Sequence, residues 1–211
     1  MDISQFRREF LRGGLDKKDL AADPVSQFSA WFEQARETKM VDPTAMVLAT
    51  VDKTGQPSQR AVLLKYFDTH GFVFFTNYGS RKAEEIGANN RVSLLFAWLE
   101  LDRQVIVSGR AEKITTAESA RYFISRPRDS QVAAWVSSQS RGLSSRQALM
   151  QKYSEMKRKF GEGKIPLPTF WGGYRVTPAE VEFWQGRASR LHDRFMYQRD
   201  GSSWSVERLS P

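Results

Sequence analysis

Residues 45–76 read AMVLATVDKTGQPSQRAVLLKYFDTHGFVFFT, and their pattern indicates the class of fold. The segment contains three β-rich runs and two turns: strands at 45–51, 58–67 and 72–76, and turns at 52–55 and 68–71. Turns rich in Asp, Gly and Thr between runs of β-branched and aromatic residues are typical of antiparallel strands. The segment therefore predicts a β-meander.

Helices are predicted on both sides of this meander. Before it, apolar residues recur at helical spacing over 24–40, with Asp23 as N-cap and Pro24 at the first helical position. After it come a short helix at 80–89, strands at 92–98 and 104–114, and helices at 115–126, 129–136 and 144–160. Thr115 with Glu118, and Ser144 with Gln147, have the spacing of a capping box.

The last part of the chain returns to short strands, predicted at 173–177, 181–184, 190–198 and 203–208. The order strands, helices, strands predicts an α+β fold whose sheet closes into a barrel with pieces from both ends of the chain. We expect residues 1–22 to form a flexible N-terminal arm and residues 23–211 to form a single domain.

The composition excludes several chemistries. The 211 residues include no cysteine and only two histidines, His70 and His192. A disulfide framework, a thiolate nucleophile, a Cys-ligated metal site and a dithiol redox couple are therefore impossible, and no metal site is predicted. Redox chemistry would need a bound organic cofactor, because the side chains offer no electron carrier.

The formal charge of +8 has three possible explanations: a polyanionic partner such as nucleic acid, an ordinary basic surface, or pockets for small anions. No apolar run approaches the ~20 residues that span a bilayer, and the first ten residues lack the apolar core of a secretory signal. We therefore expect a cytoplasmic protein without a membrane partner.

Two groups of cations point to small anions. Arg81 and Lys82 follow the predicted N-cap Ser80, where cations oppose the helix dipole, and such a placement suits a bound phosphate as well as a frayed surface helix. Arg60 and Lys65 bracket an apolar strand, and the period of two places them on opposite faces unless the strand bends.

Two further groups lie in the second half of the chain. Tyr122 and Arg126 share a helical face near Ser130, and together they could hold a second anion; a turn capped by an Arg–Asp pair explains this segment at least as well. Arg190, His192 and Arg194 alternate in the predicted strand at 190–198, so we expect all three on one face. Separated clusters fit small phosphate sites better than the continuous basic stripe of a nucleic-acid binder.

These segments together resemble the pyridoxine/pyridoxamine 5′-phosphate oxidase family over nearly the whole chain. The resemblance rests on nine segments in register: RREF-x-x-GGL, DPTAMVLATVD, GQPSQRAVLLK, FFTNYGSRKA, NNRVSLLF, RQVIVSGRAE, YFxSRPRDSQVAAWVSxQS, LPTFWGGYRV and EFWQGRxxRLHDRFMYQR. It implies a split β-barrel homodimer that binds FMN at the subunit interface. It also implies oxidation of pyridoxine 5′-phosphate and pyridoxamine 5′-phosphate to pyridoxal 5′-phosphate, with O2 as acceptor and H2O2 as product.

The resemblance also implies roles for individual residues. It implies that FMN is bound by Arg60, Ala61, Val62, Leu63, Leu64, Lys65, Phe75, Thr76, Ser80, Arg81 and Lys82, and that Gln104, Gln139, Ser140, Trp184 and Arg194 complete the site, partly from the partner chain. Substrate phosphate is assigned to Lys65, Tyr122, Arg126 and Ser130. Arg190 and His192 are the implied catalytic residues, facing the pyridine ring, and Arg7 in the arm is a further substrate contact.

The chain departs from the family pattern at two aromatic positions. Phe10 and Phe75 stand where the family commonly has tyrosine, so no polar role is assigned to Phe10. Two alternatives stay open: another split-barrel flavoprotein such as a flavin reductase, and a basic nucleic-acid-binding module. A flavin reductase would keep the FMN residues but would have no need for the substrate set.

Overall fold

The computed structural model describes residues 1–5, 9–10 and 13–211. Nine antiparallel strands form one sheet: β1 (Ala45–Val51), β2 (Pro57–Leu63), β3 (Tyr66–Asp68), β4 (Gly71–Asn77), β5 (Arg91–Trp98), β6 (Arg103–Lys113), β7 (Trp171–Gln185), β8 (Asp193–Asp200) and β9 (Ser203–Leu209). Five α-helices accompany it in the described residues: α1 (Pro24–Glu37), α2 (Arg81–Ala88), α3 (Thr116–Ser125), α4 (Arg128–Val136) and α5 (Arg146–Phe160). The predicted α+β class is confirmed.

The strand order makes the sheet curl. Hydrogen-bonded neighbours follow the order β2-β1-β5-β6-β7-β4-β3, with β8 on β7 and β9 on β8. Strands β2 and β3 stand at opposite ends of this path, yet only Leu64 and Lys65 separate them along the chain. The two ends of the path must therefore lie side by side, as in the expected split barrel.

The predicted single strand at 58–67 is in fact two strands. The backbone N–H of Leu64 donates to Thr44 O, whereas that of Lys65 donates to Val73 O. The chain thus changes partner from β1 to β4 between these two residues. This change of partner interrupts the strand, while the alternation of exposed and less exposed residues continues from Pro57 to Lys65.

Two other boundaries differ from the prediction. The runs 173–177 and 181–184 belong to the single strand β7, whose pairing with β6 shifts register between Ser108 and Gly109. Pro178, which lacks the N–H of a regular ladder, pairs at this irregularity. Helix α5 is capped by Ser145, whose hydroxyl accepts from the Ala148 N–H, and not by Ser144.

The core has two parts, and the first fills the barrel. Helix α1 begins as predicted, with Asp23 accepting from the N–H groups of Val25 and Ser26. Its Phe28 is fully buried and contacts five aromatic rings with centroids 4.8–5.8 Å away. Burial of rings of this size supplies much of the free energy that holds a helix on a sheet.

The second part of the core lies beneath α3, α4 and α5. Phe123, Val132 and Trp171 are buried there, and the apolar stripe of α5 packs against them. Gly172 follows Trp171 and allows a close approach, because a Cβ at that position would lie 2.1 Å from Tyr78 Oη. This packing joins the helical layer to β7 and forms one wall of the site described below.

Residues 13–22 pack against the barrel. Leu15 is buried and its N–H donates to Asp193 Oδ2 at 3.0 Å. Ala21 receives a hydrogen bond from Tyr197 Oη at 2.8 Å. In the described part of the chain, no helix has both the length and the hydropathy required to span a lipid bilayer.

Candidate active site

A cavity of about 370 Å³ lies between strands β2 and β4 and helices α2, α3 and α4. Ten of the residues selected from the sequence line it: Ala61, Val62, Leu63, Lys65, Phe75, Thr76, Lys82, Tyr122, Arg126 and Gln139. Five lining residues were not selected: Asn77, Ala133, Ala134, Ser137 and Trp171. All five lie within or next to the quoted family segments, which is the signal that could have found them. The volume suits a small-molecule site.

The start of helix α2 brings one cation into this cavity. Lys82 is buried, and its Nζ donates to Thr76 Oγ1 at 3.3 Å and to Gln139 Oε1 at 3.1 Å. Burial, followed by the charge of Arg60, lowers the pKa of Lys82. Ser80 is fully buried at the N-cap but makes no capping hydrogen bond with its side chain. The arrangement can receive an anion.

Helix α2 also carries a carboxylate near Lys82, Glu85, which was not selected from the sequence. Glu85 is 4% exposed and pairs with Arg81 at 2.7 Å and with Arg60 at 3.1 Å. Burial alone would raise its pKa, but hydrogen bonds from Ser58, Thr50 and the two arginines outweigh burial and hold the pKa at about 2. The i,i+4 spacing from Arg81 was the available sequence signal.

Helix α3 and β7 provide a second cationic position. The Arg126 guanidinium lies 4.7 Å from the centroid of the Trp171 ring, and burial lowers its pKa. Its Nη1 is buried without a hydrogen-bond partner, and no other buried side-chain nitrogen or oxygen in the described residues shares this condition. Tyr122 stacks on Phe75 at 4.0 Å and has its pKa raised by burial. A buried donor without a partner is costly unless a ligand supplies the acceptor.

Five of the other selected residues form a separate group with Phe10. Gln104, Trp184 and Arg194 lie opposite one another on β6, β7 and β8 and share one face of the sheet. The His192 ring lies 4.6 Å from that of Trp184, and Phe10 contacts both rings edge-on at 5.6 and 5.3 Å. We call Phe10, Gln104, Trp184, Arg190, His192 and Arg194 the Trp184 cluster.

The prediction that Arg190, His192 and Arg194 alternate along one strand is wrong. Strand β8 begins at Asp193, and Arg190 ends a short 3-10 helix with φ of 63°. The preceding Ser189 also has positive φ, so the chain turns before the strand starts. Arg190 nevertheless lies near His192, since its guanidinium is 5.8 Å from the Phe10 ring that contacts the imidazole.

Within one chain, strand β7 separates the cavity from the Trp184 cluster. Trp171 and Trp184 lie at opposite ends of β7, thirteen residues apart, which corresponds to roughly 40 Å along an extended strand. Burial, followed by the charge of Arg190, lowers the pKa of His192, while Arg194 is paired with Glu182 at 2.7 Å.

Six described residues selected from the sequence belong to neither group in direct contact, and Ser80, the N-cap of α2, is one of them. Leu64 is buried in the core, Ser130 lies on α4 without lining the cavity, and Ser140 occupies an exposed turn with φ of 68°. Arg60 and Arg81 stand behind Lys82 through Glu85. Arg7 lies outside the described residues.

Comparison with known proteins matches two consecutive segments of the chain to models of one family. Residues 17–160 match the family model described as pyridoxamine 5′-phosphate oxidase, and residues 171–211 match the pyridoxine 5′-phosphate oxidase C-terminal dimerisation region. The pyridoxine/pyridoxamine 5′-phosphate oxidase of Shewanella amazonensis is 57% identical over 100% of this chain and 99% of its own. The protein of the same name from Escherichia fergusonii is 56% identical, over 99% and 96%.

Solved structures with a similar fold agree with these sequence matches. PhzG from Burkholderia lata 383, crystallised with tetrahydrophenazine-1-carboxylic acid, is 30% identical with a TM-score of 0.87 and covers 92% of this chain and 95% of its own. A pyridoxamine 5′-phosphate oxidase-related, FMN-binding protein from Nostoc punctiforme has a TM-score of 0.72 at 16% identity, covers 91% and 100%, and shares the fold. The chain therefore belongs to the pyridoxamine 5′-phosphate oxidase family.

Proposed function

We propose that this chain oxidises pyridoxine 5′-phosphate and pyridoxamine 5′-phosphate to pyridoxal 5′-phosphate with FMN as cofactor. The observation that carries the proposal is the unpartnered, buried Nη1 of Arg126 in a cavity that Lys65 also lines. Two cations and the Tyr122 hydroxyl suit the phosphate group of the substrate. The names of the full-length relatives specify the same two substrates.

The donor set of the cavity also fits FMN. Lys82, with Thr76 and the N-cap Ser80, offers donors to the flavin phosphate, supported by Arg60 and Arg81. Strand residues 61–65 and Phe75 would contact the rest of the cofactor, together with Gln139. When bound, FMN accepts two electrons from C4′ of the substrate and passes them to dioxygen, which gives hydrogen peroxide.

The protein's own part in this reaction is to bind and orient. Lys65, Tyr122 and Arg126 would fix the substrate phosphate and so determine where C4′ lies. Arg190 and His192 would contact the pyridine ring and its phenolic oxygen. Oxidation of the amine gives an imine, which water hydrolyses to the aldehyde and ammonia.

We further propose that the working enzyme is a homodimer in which the Trp184 cluster of one chain completes the cavity of the other. The separation along β7 favours a partner chain as the source of the cluster at each cavity. All of the cluster except Phe10 and Gln104 falls within residues 171–211, which match a dimerisation region. The expected cytoplasmic location belongs to the same proposal.

The test is to purify the chain, record its flavin absorption, and measure peroxide release with pyridoxine 5′-phosphate and with unphosphorylated pyridoxine. We expect a yellow protein that turns over the phosphorylated substrate far faster. A colourless protein that cannot be loaded with FMN would refute the proposal. A yellow protein inert toward both compounds would favour a flavin reductase instead.

A further inference from the structure

We propose that Glu85 is a positioning residue for the cofactor phosphate, and that it gives the site its preference for FMN over riboflavin, the unphosphorylated flavin. It would do so by fixing the guanidinium groups of Arg60 and Arg81 beside Lys82. The inference rests on the proposed use of FMN as cofactor.

The contacts of Glu85 join three elements of the fold. On helix α2, its Oε1 accepts from Arg81 Nε at 2.7 Å. Its Oε2 accepts from Arg60 Nη2 at 3.1 Å and from Ser58 Oγ at 2.6 Å on β2, and also from Thr50 Oγ1 on β1. Both carboxylate oxygens are therefore used, and each holds an arginine that comes from a different element.

The hydroxyl groups around Glu85 reinforce this alignment. Ser58 and Thr50 donate to the carboxylate and accept from Arg60, whose Nη2 lies 2.5 Å from Ser58 Oγ and whose Nη1 lies 2.6 Å from Thr50 Oγ1. Nη1 of Arg60 also donates to Leu48 O at 3.1 Å. The side chain of Arg60 is thus restricted to one orientation by four acceptors, and Glu85 is the charged one.

The charge of the group matches a phosphate monoester. Arg60, Arg81 and Lys82 contribute three positive charges and Glu85 one negative charge, which leaves +2. A phosphate monoester carries about −1.5 to −2 at neutral pH. Without the carboxylate the three cations would repel one another, and their side chains would separate before any cofactor arrived.

A purely structural role explains these contacts less well. A buried ion pair is weak evidence for stability, since well-packed apolar residues often do as well. Glu85 instead binds Arg81 by Nε while 59% of the Arg81 side chain remains exposed. This contact fixes the stem of the side chain and leaves its terminal nitrogens accessible, as a ligand-binding arginine requires.

The test uses Glu85→Asp, which keeps the charge but shortens the side chain by one methylene, so that it cannot reach both arginines. The full-length chain, freed of flavin, is titrated with FMN and separately with riboflavin, and binding is followed by flavin fluorescence. Glu33→Asp is the matched control, because Glu33 forms an exposed pair with Arg36 on helix α1.

We expect Glu85→Asp to raise the Kd for FMN about tenfold and to leave the Kd for riboflavin within about twofold, since only FMN has the phosphate. Glu33→Asp should change neither. Equal losses for both flavins, or no loss for either, would overturn the role of Glu85 while the proposed function stands. A wild-type chain that binds FMN no more tightly than riboflavin would overturn the role of Glu85, and one that binds neither flavin would overturn the proposed function as well.

Should Glu85→Asp fail to fold, as judged by circular dichroism, Ser58→Ala decides the question. It removes the hydroxyl group that donates to Glu85 and accepts from Arg60, and it leaves every charge in the group unchanged. We expect a smaller loss that is again confined to FMN. An unchanged ratio of the FMN and riboflavin Kd values in Ser58→Ala would then refute the proposal.

Discussion

The cavity and the Trp184 cluster differ in how far one chain completes them. The cavity is lined from strands β2, β4 and β7 and helices α2, α3 and α4, and Lys82 in it already hydrogen-bonds to protein acceptors. The Trp184 cluster lies at the far end of β7, with Arg190 exposed on a backbone of positive φ. Under the proposed dimer, one chain supplies the cavity of each site and its partner supplies the Trp184 cluster. An outward-facing, strained arginine is understandable if a partner supplies what it faces.

The largest effect that tests this comparison is expected at Arg190. Arg190→Met should lower kcat about 100-fold or more, because a group that contacts the reacting ring is lost, while FMN stays bound through the cavity. Stopped-flow reduction of the flavin by pyridoxine 5′-phosphate measures the chemical step directly. Arg199→Met is the control, since Arg199 lies over Trp204, away from both regions. Wild-type kinetics in Arg190→Met would contradict the role of the cluster.

On the cavity side, Arg126→Met should raise KM for pyridoxine 5′-phosphate roughly 30- to 100-fold, from the loss of charged hydrogen bonds to the substrate phosphate. The KM of the same variant for unphosphorylated pyridoxine should stay close to the wild-type value. Steady-state peroxide release with both substrates separates these outcomes. Arg128→Met is the control, because its guanidinium donates to the carbonyl of Gly163 and should affect stability alone. An equal loss for both substrates would place Arg126 outside the phosphate site.

Mixing the two variants tests whether the cavity and the Trp184 cluster of one site come from different chains. In a random mixture of Arg126→Met and Arg190→Met chains, half of the dimers contain one intact site, so activity should return to about one quarter of wild type. Refolding or co-expressing the tagged variants gives this mixture, and the doubly tagged dimer isolated from it should reach about half of wild-type activity, since one of its two sites is intact. Activity no higher than the average of the two parents would show that each chain completes its own site.

The same contrast explains what the sequence could predict. The cavity was largely predictable, because Arg81, Lys82, Tyr122 and Arg126 lie in regular elements whose spacing fixes their faces. Glu85 was missed because only tertiary packing brings it against Arg60, which is 25 residues away.

The Trp184 cluster was harder to predict from the sequence than the cavity. Alternation predicted that Arg190 and His192 lie in a strand, but positive φ at Ser189 and Arg190 ends that pattern, and single sequences carry no signal for such a turn without glycine. The continuous β7 was missed for a related reason: Pro178 marks a break by local rules, and only the shift opposite Ser108 and Gly109 accommodates it.

The smallest expected effect concerns the charge of His192 within the Trp184 cluster. Burial, followed by the Arg190 charge, lowers its pKa below 6.5, with Asp193 acting in the opposite direction. The neutral imidazole is therefore favoured in the folded chain, and its contribution to stability is present above pH 6.5 and is lost as the pH falls through the lowered pKa. The chain has two histidines, so NMR titration gives two imidazole signals, and His70→Gln assigns them. Arg190→Met should raise the His192 pKa. If the His192 signal titrates identically in both proteins, Arg190 does not act on the imidazole, and the cluster is a set of neighbours without electrostatic coupling.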